Sequence, residues 1–291
     1  MKNIKFILLL SSLLAFIPIV KAQQMQGKVF RPSWLKDRNG IQIVDLANIR
    51  IWYALNAEDI KNPSSYIDLQ RLEIGEKLSK YYSFFVSNSD SLCADWIIKN
   101  PQAQSIPRKF GITGKFPDYW SEYQFSVYFK KHETNQFIEY ARMPYSLKRY
   151  NSQYSEEIPK QDWTILSDTL TINKYLCQKA TCHFRGRSYI AWFTMDIPIS
   201  NGPWKFGGLP GLILKIYDTN NLYTFECVKI EKGKFPIEKH DYSNYKTINR
   251  LKLLKYQKDI NENFKKVAGV ISRNNKKVQY VSVSYEPLEL E

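Results

Sequence analysis

Between Gly202 and Gly211 the chain gathers four of its 12 glycines, two prolines and two large aromatics. The run reads Gly202-Pro203-Trp204-Lys205-Phe206-Gly207-Gly208-Leu209-Pro210-Gly211, and the apolar stretch Leu212-Ile213-Leu214 follows at once. Glycine enters backbone conformations that other residues avoid, and proline fixes its own φ. Such a run specifies one backbone path and leaves little room for alternatives. Gly207, Gly208 and Gly211 are expected at tight turns or close backbone approaches, with Pro210 blocking strand pairing. Leu209, Leu212 and Leu214 are expected to seat the run in a core. A phosphate cradle is the competing reading. It lacks the Lys-Ser/Thr ending of a P-loop, and it precedes a strand where a cradle needs a helix N-terminus.

Strand signals dominate the remainder. Gln42 to Leu55, Tyr66 to Ile74 and Lys80 to Val86 each predict a strand. Ser89, Asp90 and Ser91 offer caps for a short helix that stops before Pro101. Pro101 to Asp118 reads as a loop. Tyr123 to Lys131 and Phe137 to Met143 read as a hairpin, whereas Tyr145 to Lys160 shows no clear period. Ile172 to Phe184 and Arg187 to Ile199 flank a turn at Arg185-Gly186. Alternation in the second run puts Tyr189, Ala191 and Phe193 on one face. Leu212 to Tyr217 and Tyr223 to Cys227 pair across a turn at Asp218 to Asn221. One long helix is predicted over Tyr242 to Val267, its apolar stripe running from Ile248 and Leu251 to Val267. Val278 to Tyr285 reads as a closing strand.

The first 22 residues have the pattern of a secretory signal: Lys2 and Lys5, an apolar run from Phe6 to Val20, and small residues around Val20-Lys21-Ala22. Residues 23–291 are then expected as one β-rich domain, exported to the periplasm or the outer-membrane periphery. Removing Lys2, Lys5 and Lys21 lowers the net charge from +14 to +11. A basic exported chain is drawn to anionic partners, here envelope lipid. Nucleic acid is set aside, because no nucleic-acid-binding motif is present. Cys93, Cys177, Cys182 and Cys227 permit two disulfides with three pairings, or four buried thiols.

The blocks Tyr175 to Ala180, Phe184-Arg185-Gly186-Arg187, Ala191-Trp192-Phe193-Thr194, Ile197-Pro198-Ile199 and Gly202-Pro203 resemble the GLPGLI family. Its namesake motif appears letter for letter at Gly208-Leu209-Pro210-Gly211-Leu212-Ile213. The resemblance implies an exported protein of Bacteroidetes-type bacteria, with an outer-membrane transporter of the TonB-dependent kind as neighbour. It carries over no reaction and no catalytic residue.

The histidines, His132, His183 and His240, form no metal-binding pair, and Cys177, Cys182 and His183 lack zinc spacing. No catalytic, metal or cofactor residue is therefore expected. Trp192, Trp204 and Phe206 are the candidates for lining an apolar ligand cavity. The fold expected is mainly β: a large curved antiparallel sheet or half-barrel, like that of lipoprotein carriers, with the long helix packed on it. The function expected is a non-enzymatic accessory or carrier for a lipid or hydrophobic segment. The alternatives are an interaction protein docking on the transporter and an exported hydrolase with a polar cleft.

Overall fold

In a computed structural model the described residues are 40–103, 107, 110–117, 119–269, 282 and 284–291. The signal-peptide segment 1–22 lies outside them, and so does most of the stretch read as a closing strand.

The chain forms one twelve-stranded sheet, antiparallel except for one short parallel pair, with a C-terminal helix packed on it. In chain order the strands are β1 (Gln42–Leu55), β2 (Asp68–Gly75), β3 (Leu78–Ser83), β4 (Ser126–Lys131), β5 (Gln136–Ala141), β6 (Ser152–Glu157), β7 (Thr164–Ile172), β8 (Tyr175–Phe184), β9 (Arg187–Thr194), β10 (Leu212–Asp218), β11 (Thr224–Lys239) and β12 (Lys246–Thr247). Their order across the sheet is β12-β6-β5-β4-β3-β2-β1-β11-β10-β9-β8-β7. The helices are α1 (Phe84–Lys99), the single turn α2 (Glu122–Phe125) and α3 (Arg250–Val267). The expected mainly-β class, the large curved antiparallel sheet and the packed helix are all present.

Curvature is read from contacts between strands remote in the sheet. Arg185, in the β8–β9 turn, binds Glu156 of β6 at 2.9 Å, although seven strands lie between β6 and β9. Asn201, after β9, donates to Ser79 Oγ of β3 at 3.0 Å. One continuous core fills the inner face, running from Ile51 and Tyr53 through Tyr81, Tyr128 and Phe137 to Tyr189, Phe193 and Phe206. Burying one such aromatic side chain contributes roughly 2–3 kcal/mol. The carrier reading needed this face open; side chains occupy it. A second, smaller cluster lies on the outer face: Leu78, Phe129, Ile138, Tyr140, Ile237, Tyr242 and Tyr245.

Several boundaries differ from the sequence reading, each for a local reason. The run read from Ile172 starts on the last residue of β7: Asn173 and Lys174 both take positive φ (49° and 69°), form a two-residue hairpin turn, and β8 begins only at Tyr175. Helix α1 begins at Phe84, well before Ser89: Ser83 Oγ accepts from Val86 N at 3.0 Å as the cap. Helix α3 begins at Arg250, capped by Asn249, whose side chain accepts from Lys252 N at 2.8 Å. Tyr242 and Tyr245, read as its first turn, instead join the outer aromatic cluster. Leu251, read into the apolar stripe, is 63% exposed. The unassigned segment forms a short 3-10 stretch, Tyr145–Tyr150, followed by β6.

Candidate functional site

On the outer face of β3, β4 and β5, under α1, lies a cleft of about 340 Å³. Strand alternation builds its floor. Lys80 and Tyr82 of β3, Val127 of β4 and Tyr140 of β5 project outward, whereas Tyr81, Tyr128 and Phe137 project into the core. Asp90 and Ala94 of α1 form one wall, and His240, Tyr242 and Tyr245 form the other.

The aromatic rings brace one another. Tyr140 stacks on Tyr242 with centroids 3.9 Å apart, and Tyr245 meets Tyr242 edge-on at 5.1 Å. Next to them Arg142 donates to Asp90 Oδ2 at 2.7 Å, and its guanidinium lies 4.8 Å from the Phe125 ring. The Arg142 carbonyl accepts from Trp120 Nε1 at 2.8 Å, which fixes the backbone beneath the guanidinium.

Lys80 Nζ donates to the Glu238 carbonyl at 2.7 Å and sits 4.2 Å over the Tyr82 ring. Burial pushes its ammonium down to about 8, and the Glu73 carboxylate opposes that push. His240 is pushed down to about 4, by burial first and then by Lys80 and Arg142. Its imidazole is therefore neutral at neutral pH. The cleft thus offers flat apolar rings, a fixed charged pair, an ammonium and a neutral imidazole. Such a set can hold a polar, hydroxyl-rich ligand with apolar faces.

None of these residues is read as a site in the sequence: Asp90 is a cap candidate, His240 is set aside as a metal ligand, and Tyr242 is placed in a helix. They are scattered from Lys80 to Tyr245 and share no spacing. The one local signal was Tyr140-Ala141-Arg142, in which alternation puts a tyrosine and an arginine on the same side of a strand end.

The residues that sequence reasoning did single out lie elsewhere. The glycine-rich run packs against the inner face: Leu209, Leu212 and Ile213 are buried, as are Gly202, Pro203, Trp204 and Phe206. Asn201 bridges Gly207, Trp163 Nε1 donates to the Gly207 carbonyl at 2.7 Å, and Gly208 takes φ +83°. A Cβ at Gly211 would stand 2.0 Å from the Thr194 carbonyl oxygen, so the close approach there admits only glycine. Pro210 is exposed at the adjoining bend. Trp204 and Phe206 come together, centroids 5.3 Å apart, with Phe184 and Tyr189 around them. Trp192 projects from the opposite face of β9, and none of the three lines the cleft.

Cys93, Cys177, Cys182 and Cys227 are four buried free thiols. Burial pushes Cys177 up to about 11 and Cys182 and Cys227 up to about 12. Among the described residues no group of three or more His, Cys, Asp or Glu side chains is placed to hold a metal ion.

Residues 110–259, more than half of the chain, match the family model described as the N-glycanase peptide, N-terminal domain. The chain belongs to that family. The match spans the glycine-rich run and half of the cleft lining, with Lys80, Tyr82 and Asp90 outside it, and it corrects the GLPGLI resemblance read from the blocks between Tyr175 and Ile213. Within the motif, Gly211 is fixed by its close approach to the Thr194 carbonyl oxygen, a local packing requirement. The same match overturns the expectation of a non-enzymatic accessory or carrier, together with its transporter-docking alternative, since the family is named for a hydrolytic enzyme.

Two solved structures match this chain, titled "Structure of PNGF-II" in the P21 and in the C2 space group. The first has a TM-score of 0.45 and 16% identity, covering 73% of this chain and 34% of that one. The second has a TM-score of 0.44 and 17% identity, covering 72% and 32%. The chain thus spans about a third of the length of the proteins it matches. Among curated proteins, none matches the chain in sequence.

Proposed function

We propose that this chain serves N-glycan processing, as the saccharide-recognising domain of an N-glycanase-type hydrolase. An N-glycanase hydrolyses the amide that joins a glycan to asparagine. The enzyme must therefore hold the sugar next to the linkage while that bond is cut. The observation that carries the reading is the outer-face cleft, where Tyr82, Tyr140, Tyr242 and Tyr245 surround the Arg142–Asp90 pair. Pyranose rings present flat C–H faces that pack on aromatic rings, and their hydroxyl pairs accept and donate in the plane of a guanidinium or carboxylate. The volume suits one or two sugar units. Export by the leader of residues 1–22 accords with substrates that are glycoproteins outside the cytoplasm.

The test compares one glycopeptide with its deglycosylated twin, titrated calorimetrically into the full chain. Binding of the glycosylated form alone, weakened about tenfold by Arg142→Met, is the expected result. Equal affinity for both peptides, or no heat from either, rules the reading out. Release of free glycan, followed by mass spectrometry in the same samples, reports whether hydrolysis accompanies binding.

A further inference from the structure

On the inner side of the sheet, opposite the cleft, the segment Tyr285–Glu291 lies in a basic groove. It is not a strand of the sheet. Among the described residues a single main-chain pair ties it to the fold, from Leu290 N to the Arg185 carbonyl at 3.1 Å. Side chains hold the rest. Arg187 Nε donates to the Leu288 carbonyl at 3.2 Å, and its NH2 group donates to Glu286 Oε1 at 3.0 Å. Tyr223 Oη donates to the Glu286 carbonyl at 2.6 Å. Glu289 is 5% exposed and pairs with Lys205, Arg250 and Arg185. Leu288 is buried in the core cluster. Gly186 floors the groove at φ +79°, where a Cβ would stand 2.7 Å from Leu290 Cβ.

Charge explains why the groove needs an occupant. Four cations converge on it: Arg185, Arg187, Lys205 and Arg250. The groove's own carboxylates that touch them are Asp218, on Arg187, and Glu156, on Arg185 and Arg250. Two positive charges are left over, and of the segment's three glutamates two reach the cations with their side chains: Glu286 on Arg187, and Glu289 on Lys205, Arg250 and Arg185. Lys205 is 1% exposed, among the rings of Phe137, Tyr154 and Trp204. An ammonium buried so deeply without a counter-ion is strongly unfavourable. The groove is therefore built around an anionic chain.

We propose that this groove is a binding site for an extended acidic peptide of the pattern acidic-Pro-Leu-acidic, filled here by the chain's own Glu286-Pro287-Leu288-Glu289. An acidic segment of another polypeptide would compete for the same cations. The site lies on the opposite face from the cleft and is independent of the saccharide reading.

The probe is a fluorescently labelled peptide of residues 284–291, added to the full chain and to its Glu286→Gln, Glu289→Gln double variant. Anisotropy is expected to show the double variant binding the probe about tenfold more tightly than the parent, because its own segment competes less well. Adding Lys205→Met to the variant is expected to abolish that binding. Should the double variant be unfolded by circular dichroism, recovery of the folded spectrum on adding the unlabelled peptide supports the proposal, and failure to recover overturns it. A folded variant that shows no saturable binding also overturns it, since the segment is then an integral part of the fold.

Discussion

The two faces of β3, β4 and β5 are made from the same strands and from similar residues, yet they do opposite things. Each carries tyrosines, phenylalanines and one buried lysine. On the inner face Lys130 donates to Asn201 Oδ1 at 3.1 Å and to the Phe206 carbonyl at 2.5 Å, beneath the glycine-rich run. On the outer face Lys80 donates to a carbonyl, but its ammonium also borders open volume. Burial pushes Lys130 down to about 7 and Lys80 to about 8. Lys130 is sealed by loop backbone, and Lys80 is left next to a space that a ligand can enter. On these three strands, therefore, the buried cation whose surroundings remain open is the one that marks the cleft.

The largest contrast is expected from Phe137→Ala on the inner face. Phe137 is fully buried against Tyr128 and Tyr154, and its loss should cost about 4 kcal/mol in denaturant unfolding. Gly211→Ala should cost about 3 kcal/mol or more by the same measurement, because its Cβ would collide with main chain that cannot yield. Both variants, where folded, should keep the cleft's affinity for saccharide. On the outer face Arg142→Met should cost about 2 kcal/mol by stranding the Asp90 carboxylate, and it should also weaken saccharide binding about tenfold. A variant that lost stability alone would show the outer pair to be scaffold, erasing the contrast.

A smaller effect separates the two lysines by pH. Both have folded-state values below the ordinary 10.5, so the unfolded chain binds more protons in the window between. Stability contributed by Lys130 should therefore rise as pH climbs from about 7 to 10.5, and that from Lys80 from about 8 to 10.5. Lys130→Met and Lys80→Met should each flatten their own part of the curve, read as melting temperature against pH. Saccharide in saturating amount should alter the Lys80 part only.

The smallest effect concerns the thiols. With their proton affinity raised by burial, Cys177, Cys182 and Cys227 should resist alkylation in the folded chain and react on unfolding. Mass spectrometry before and after denaturation reads this directly, and a thiol that never reacts would indicate a disulfide.

Local grammar made much of the fold legible. Alternation located β1 to the residue, and Arg185-Gly186 marked a turn that the structure contains. Alternation also put Tyr189, Ala191 and Phe193 together on the buried face of β9. Grammar failed where tertiary contacts outweighed it. Tyr242 and Tyr245 fit a helical pattern, but stacking on Tyr140 draws them away from α3. The cleft was illegible for a related reason. A strand such as β3, with a tyrosine and polar residues on each face, does not say which face a helix covers fully and which it leaves partly open. The groove for the C-terminal segment was hidden because its four cations come from the β8–β9 turn, β9, the glycine-rich run and α3. The glycine-rich run stood out most in the sequence and yields structure, whereas the residues of the cleft carry no local signature.

The central claim is that the outer face of β3–β5 recognises the sugar of an N-glycan. Titrating the isotopically labelled full chain with di-N-acetylchitobiose, and mapping amide shifts by NMR, tests it most directly. Saturable shifts gathered at Tyr82, Asp90, Tyr140, Arg142 and Tyr242, needing about tenfold more ligand in Arg142→Met, are predicted. Shifts confined to the inner-face groove around Arg187 and Lys205, or no shifts at all, would contradict it.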